Sequence, residues 1–179
     1  MFAIRHAFPK DLPSLLPLYQ RARAFMAANG NPDQWGDRYP TEEILSKDIQ
    51  NHRLYLCEND GETAAAFMFF IGEEPNYAVI EDGDWPDRRP YGTIHRIASS
   101  GRFPGAGSFC VSWCYEQCRR AGAGLRGDTH EKNLPMQRVF KKNGFSRCGR
   151  IRVEDGTERI AFQKSFRPDE NAHPFARYR

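Results

Sequence analysis

The chain has 179 residues, with 26 Lys and Arg against 23 Asp and Glu, and a formal net charge of +3. This length suits one domain with a sizeable core. So small a charge argues against nucleic-acid binding, and no apolar run approaches transmembrane length. Residues 1–6 also lack the layout of a signal peptide. We therefore expect neither a nucleic-acid partner nor a membrane partner.

Cysteine usage favours a reducing compartment. The chain has five cysteines, an odd number, which does not suit a disulfide framework. Three of them, Cys110, Cys114 and Cys118, follow one another along a predicted helix face. Without a nearby Cys or His partner, such thiols more often pack as small hydrophobes than bind metal. The sequence predicts a cytoplasmic protein without a metal site.

Periodicity and turn residues predict strands alternating irregularly with helices. A strand at 2–7 precedes a helix that is entered at Asp11 and Pro13 and ends near Asn29 and Gly30. Thr41 is the expected N-cap of a second helix. The later expected elements are strands at 53–58 and 63–71, a polar loop at 73–90, a strand at 91–99, a helix at 109–120, a strand at 125–129, a helix opened by Asn133, and strands at 147–153 and 158–164.

This order predicts an α/β (α+β) layer fold with a mostly antiparallel sheet of six or seven strands and helices on both faces. No repeat or composition shift divides the chain. We therefore predict one domain at residues 1–166 and a loosely ordered tail at 167–179.

The run at 94–108 is a strand that breaks into a glycine-rich turn and then enters a helix. Backbone N–H groups at a helix N-terminus have no intrahelical partners and bind anions. Gly105 and Gly107 allow close approach of the backbone, and Arg102 adds a charge. These features predict a phosphate-binding loop.

Together, this loop, the Asn133 that opens the next helix and the Asn143-Gly144-Phe145 that closes it resemble the GNAT superfamily of acyl-CoA-dependent N-acyltransferases. The resemblance covers roughly residues 2–166. It implies a sheet that splays apart beyond the central strand, with the coenzyme arm in the gap. It assigns Ile97 and Ala98 to the pantetheine arm and Asn133 to a place beside it. The implied pyrophosphate contacts are Arg102, Phe103, Gly105, Ala106, Gly107 and Ser108.

Two residues depart from the family pattern. Pro104 removes one N–H from the loop, although the others can still hold a phosphate. Phe140 stands where many members have a Tyr that protonates the departing thiolate. A thiol with a pKa of about 8.5 is already a fair leaving group near neutral pH. The acid is therefore water, another residue, or unnecessary.

Strand alternation places Tyr91, Thr93, His95 and Ile97 on one face of the central strand. His95 is the one member whose side-chain type titrates near neutrality, which makes it a candidate general base. A packed, hydrogen-bonded histidine explains it equally well. Tyr91 is a second candidate, or a half-buried strand aromatic.

Asp128 follows on the neighbouring strand, where it could orient a substrate amine or only cap a turn.

The acceptor is expected to contact loops. The resemblance points to the connection between the first two helices and to the loop before the central strand. The candidates are Trp35, Tyr39, Tyr77, Asp82 and Trp85, with His130 beside Asp128. Acidic groups beside aromatic rings suit a cationic amine. The plainer alternative is that the tryptophans anchor their loops and the acids are solvated.

The resemblance thus predicts an N-acetyltransferase that transfers the acetyl group of acetyl-CoA to a primary amine of a small molecule or peptide. The alternative is a non-catalytic acyl-CoA-binding or regulatory module, consistent with Phe140. The hypothesis of an unrelated nucleotide-phosphate binder has little support, because no Gly-Lys-Ser/Thr follows the loop. The sequence leaves the acceptor's identity and a homodimeric state open.

Overall fold

The computed structural model describes residues 1–168, in which there are seven strands and four α-helices. The strands are β1 (Phe2–His6), β2 (Leu54–Asn59), β3 (Glu62–Ile71), β4 (Tyr91–Ser99), β5 (Gly124–Thr129), β6 (Ser146–Arg152) and β7 (Glu158–Lys164). The helices are α1 (Leu12–Ala28), α2 (Glu42–Gln50), α3 (Ala106–Arg120) and α4 (Leu134–Lys142).

The strands form one sheet in the order β1-β2-β3-β4-β5-β7-β6. The pairs β1–β2, β2–β3, β5–β7 and β6–β7 are antiparallel, whereas β4 and β5 are parallel. This mixed, mostly antiparallel architecture confirms the predicted fold class. Within the described range, no helix has the length and apolar character needed to cross a bilayer.

The structure corrects two predicted elements. Helix α3 begins at Ala106, three residues early, because the N–H of Phe109 donates to the carbonyl of Gly105 at 2.9 Å. The loop at 73–90 contains a short 3-10 helix at Pro75–Tyr77, which Glu74 caps by accepting from the N–H of Asn76. The predicted tail at 167–179 lies outside the described residues from 169 onward.

The chain divides into two compact units, and the first comprises Met1–Phe69 with Arg96–Cys110. Its strands β1, β2 and β3 form an antiparallel ladder, in which Ile4 pairs with Cys57 and Leu56 with Ala66. Leucines from α1, α2 and β2 fill its core together with Phe67 of β3; these are Leu15, Leu18, Leu45, Leu54 and Leu56.

The second unit comprises Phe70–His95 and the chain from Val111 onward. It contains the start of β4 and the strands β5, β7 and β6. The parallel register of β4 with β5 runs only from Tyr91–Gly124 to Thr93–Arg126, although β5 continues to Thr129. Pairing therefore ends where the resemblance implied that the sheet opens.

Phe140 of α4 is part of the apolar core of this second unit. Its ring stacks on Phe162 and tilts against Phe145, with centroid distances of 5.0 and 4.9 Å. Gly127 of β5 lies directly against it, because a Cβ at Gly127 would come within 2.7 Å of the Phe140 Cζ and 3.3 Å of the Ile94 Cγ2. A close ring–backbone contact thus fixes α4 on β5.

We expect Gly127→Ala to lower the free energy of unfolding by about 1–3 kcal/mol, because the added methyl overfills a packed core. Chemical denaturation measures this loss. Adding Phe140→Leu removes the ring that the methyl meets, so the double variant should lose less than the sum of the two single variants. Wild-type stability in Gly127→Ala would contradict the packing described here.

Candidate active site

His95 of β4 lies between two carboxylates. Its Nε2 is 3.3 Å from Oε2 of Glu74, and its Nδ1 is 3.4 Å from Oδ1 of Asp128. The side chains are only 18%, 12% and 9% exposed for His95, Glu74 and Asp128. Glu74 comes from the loop before β4 and Asp128 from β5. The fold therefore gathers two acids around the histidine from separate elements.

Neighbouring groups hold both carboxylates. Asp128 accepts a 2.7 Å hydrogen bond from the hydroxyl of Tyr77, a buried residue whose ring lies 5.8 Å from that of His95. Glu74 Oε1 accepts from the side-chain amide of Asn76 at 2.9 Å. Neither acid depends on His95 alone for its orientation.

The environment shifts the pKa values of two of these groups. Burial raises the pKa of Glu74, but the hydrogen bond and charge of His95 and the bonds from Asn76 outweigh it, so the net pKa lies below its ordinary value. Burial and the charge of Asp128 raise the pKa of Tyr77 well above its ordinary value. At neutral pH, Glu74 is therefore an anion and Tyr77 a neutral donor.

This cluster can receive a proton. A carboxylate only accepts hydrogen bonds, so a neutral imidazole donates to one of the two acids and an imidazolium to both. A proton that arrives on His95 is thus stabilised by a second charged hydrogen bond. The arrangement is suited to a general base that acts on a cationic substrate.

Tyr91 supports the cluster through the loop. Its hydroxyl accepts from the backbone N–H of Glu74 at 3.0 Å. The guanidinium of Arg126 lies between the rings of Tyr91 and Trp85, at 3.8 and 3.9 Å from their centroids. Arg126 also donates to the Gln163 side chain at 2.8 Å. This stack joins the loop to β4 and β5.

The same loop docks on the edge strand β6. Glu81 and Arg150 exchange two backbone hydrogen bonds of 2.8 Å. A Cβ on Gly83 would overlap the carbonyl of Cys148, and a Cβ on Gly149 would lie 2.6 Å from the carbonyl of Glu81. Two glycines are therefore needed for this close approach.

The structure does not bring all the predicted acceptor residues to His95. Asp82 is exposed, and its carboxylate lies 3.6 Å from the guanidinium of Arg150. His130 Nδ1 accepts from the N–H of Lys132 at 3.1 Å. Trp85 donates its indole N–H to the carbonyl of Tyr77 at 3.0 Å, as expected of a tryptophan that anchors its loop.

Trp35 and Tyr39 belong to the first unit, where their ring centroids are 6.2 Å apart. The hydroxyl of Tyr39 accepts from Arg96 at 2.9 Å.

Sequence reasoning missed Glu74 and Arg126. Glu74 is one acid among several in the loop at 73–90, and only the 3-10 turn at Pro75–Tyr77 directs it to His95. Arg126 could have been found, because it stands two residues before Asp128 on the same strand and alternation places both on one face.

The predicted phosphate-binding loop has the backbone that its sequence implies. Gly105 has φ +87, a conformation that other residues rarely adopt. The N–H of Ala106 donates to the carbonyl of Phe103 as α3 begins. A Cβ on Gly107 would meet no described atom within 4 Å. The first turn of α3 is thus open on the side of Gly107.

Arg102 and Asn133 have structural partners. Arg102 forms an ion pair with Glu62, both side chains being largely exposed, so it can reorient toward an anion. Asn133 caps α4 by accepting from the N–H of Met136 at 3.1 Å. Among residues 1–168, no group of three or more His, Cys, Asp or Glu is placed to hold a metal ion.

Solved structures with the same architecture are acetyltransferases. An acetyltransferase of the GNAT family from Streptococcus agalactiae is 35% identical, with a TM-score of 0.78 over 93% of this chain and 96% of that chain. An acetyltransferase described as putative, from Staphylococcus aureus, is 25% identical with a TM-score of 0.68, over 92% and 99% of the two chains.

A third structure shares the fold. It is an acetyltransferase from Salmonella typhimurium, also described as putative and solved with its cofactor acetyl-CoA, with 17% identity and a TM-score of 0.60 over 97% of each chain. No family profile and no curated protein matches the chain. Fold and similarity together define an acyltransferase. The chain belongs to the GNAT family of acetyltransferases.

We expect Gly107→Ala to weaken acetyl-CoA binding by tenfold or more while the domain keeps its stability. The methyl enters open space in the protein but occupies the place expected for the pyrophosphate, and alanine favours a helix over glycine by about 1 kcal/mol. Calorimetric titration with acetyl-CoA and thermal unfolding measure the two effects. Unchanged affinity in the folded variant would remove the loop from the coenzyme site.

We expect stability to depend on Glu74 at acid pH. Its pKa is depressed in the folded state, so its contribution is present at neutral pH and is lost as the pH falls below about 4. Glu74→Gln should flatten this acid-side loss in unfolding experiments across pH. The exposed neighbour Glu73 provides the matched control, Glu73→Gln, and an equal effect in both variants would contradict the assignment.

Proposed function

We propose that the protein transfers the acetyl group of acetyl-CoA to a primary amine of a small molecule or peptide. The observation that carries the proposal is the position of His95. Two carboxylates flank its ring, and on β4 it stands two residues before Ile97, which with Ala98 is assigned by resemblance to the coenzyme arm. Proton acceptor and thioester site are thus adjacent along one strand.

The acceptor amine must lose a proton before it attacks. Glu74 and Asp128 attract an ammonium group, and His95 takes its proton directly or through water. The freed lone pair forms the new C–N bond at the thioester carbonyl, and the C–S bond breaks as the coenzyme leaves as a thiolate. A backbone N–H at Ile97 or Ala98 stabilises the oxyanion between these steps.

No hydroxyl at residue 140 is needed in this scheme. The Phe140 side chain is buried in an aromatic cluster, and its Cζ lies against Gly127. The departing thiolate is stable enough near neutral pH to leave without a dedicated acid, since thiol pKa values are about 8.5. Water then completes the proton transfer.

The coenzyme and acceptor contacts are proposed from separate observations. The pyrophosphate lies on residues 102–108, in agreement with the open first turn of α3. On the acceptor side, Tyr77 acts by orienting Asp128. Trp35, Tyr39, Trp85 and Asp82 remain candidates for direct contact. The proposed compartment is the cytoplasm, consistent with five free cysteines in the described residues.

A non-catalytic acyl-CoA-binding module is the second candidate, and the buried Phe140 is the observation that favours it. Coenzyme A release from acetyl-CoA separates the two functions when measured with peptide N-termini, lysine side chains, polyamines and arylamines. Release with any amine, with the acetylated product found by mass spectrometry, supports the enzyme. Tight acetyl-CoA binding with no release above hydrolysis supports the binding module.

We expect His95→Gln to lower kcat by roughly 10²–10⁴-fold, because it removes the proton acceptor, while the Kd of acetyl-CoA stays unchanged. The wild-type and variant rates should therefore also differ in their dependence on pH. Steady-state kinetics across pH measure both effects.

The exposed His52 provides a matched control, and His52→Gln should keep wild-type kinetics. If His95→Gln keeps full kcat and the same pH profile, the base lies elsewhere.

A further inference from the structure

Arg96 has a left-handed backbone in the interior of β4, with φ +52. A long side chain rarely adopts this conformation, and such residues persist only where their surroundings hold them. They cluster at functional sites. Arg96 stands directly before Ile97 and Ala98, so its conformation sets the course of the strand through these two residues.

The side chain of Arg96 is held from two elements. Its Nε and Nη2 donate to the two carboxylate oxygens of Asp48 on α2, both at 2.9 Å. Its Nη1 donates to the hydroxyl of Tyr39 at 2.9 Å. The Arg96 and Asp48 side chains are only 12% and 9% exposed. A bidentate pair this buried fixes the guanidinium in one orientation.

The backbone of Arg96 is held separately. Its carbonyl oxygen accepts a 2.8 Å hydrogen bond from the hydroxyl of Tyr19 on α1. Tyr19 is fully buried, and burial raises the pKa of its hydroxyl far above the ordinary value, so it remains a neutral donor. The ring of Trp35 packs beside it, at a centroid distance of 5.9 Å.

This contact acts on a functional atom of the next residue. The carbonyl of Arg96 and the N–H of Ile97 belong to one planar peptide group, in which they point in opposite directions. When Tyr19 fixes the direction of the carbonyl, it also fixes the direction of the Ile97 N–H. That N–H is one of the two donors available for the thioester oxygen.

We propose that Tyr19, Tyr39 and Asp48 are positioning residues for acetyl transfer, which hold Arg96 in its left-handed conformation and so aim the N–H of Ile97 at the thioester. The proposal rests on the proposed function for the identity of the reaction. It assigns a mechanistic task to three side chains of α1, α2 and their connection.

The sharpest test is Tyr19→Phe, which removes one oxygen and keeps the ring. A misaligned oxyanion donor should lower kcat by about tenfold to a hundredfold, since loss of a whole donor costs about 10²–10³-fold. The KM of the acceptor should not change. Tyr55→Phe, at a half-buried tyrosine of β2, is the matched control and should keep wild-type kcat.

A rescue experiment tests whether Asp48 acts by holding Arg96. Asp48→Ala leaves the Arg96 guanidinium buried without its carboxylate and should lower kcat in the same way. Adding Arg96→Gly removes that charge, and glycine adopts positive φ without steric cost. The double variant should therefore recover most of the lost kcat. Glu42→Ala, an exposed acid on α2, is the control for Asp48→Ala.

The possible failures are distinguishable. If the wild-type protein acetylates no amine, the proposed function fails, and the Kd of acetyl-CoA replaces kcat as the measurement. Because Tyr19→Phe removes the contact that aligns the Ile97 N–H, this variant should then bind acetyl-CoA several-fold more weakly than Tyr55→Phe does. If Tyr19→Phe equals Tyr55→Phe in both kcat and Kd, or if Arg96→Gly does not rescue a folded Asp48→Ala variant, the positioning proposal is wrong.

Discussion

The structure depends on keeping β4 ordered after its pairing with β5 ends. The ladder between β4 and β5 stops at Thr93–Arg126, so on that edge of β4 the following residues have no ladder partner from β5. In the second unit, His95 is fixed by Glu74 and Asp128. In the first unit, Arg96 is fixed by Asp48 and Tyr19. In each unit, side-chain hydrogen bonds thus hold a residue of β4 that follows the end of the β5 ladder.

The charges of the side chains around His95 determine the chemistry that this cluster can support. A histidine between two acids can gain a proton without leaving a buried charge unpaired, and Glu74 remains ionised at neutral pH. Arg126 holds the loop by stacking on Trp85 and Tyr91, and it donates hydrogen bonds to the Gln163 side chain and to the carbonyl of Asp87. The loop is therefore anchored while the carboxylate of Glu74 stays beside His95.

The sequence predicted local features well and distant contacts poorly. The bounds of β4, the turn at Gly105 and the cap at Thr41 follow from short-range propensities, and all three are confirmed. The approach of Glu74 to His95 joins residues 21 positions apart through an irregular loop. The left-handed conformation of Arg96 has no sequence cue, since only its buried partners make it tolerable. Strand alternation therefore predicts the face of β4 on which a residue lies only as far as His95, because the conformation of Arg96 interrupts it.

The docking of Gly83 and Gly149 has a consequence for protein engineering. No side chain fits at either contact, so the backbone of the loop before β4 and that of the edge strand β6 must match each other. A loop grafted alone from a relative would pack against a β6 strand whose backbone does not complement it. Exchanging this loop for that of a relative therefore calls for transplanting both segments together.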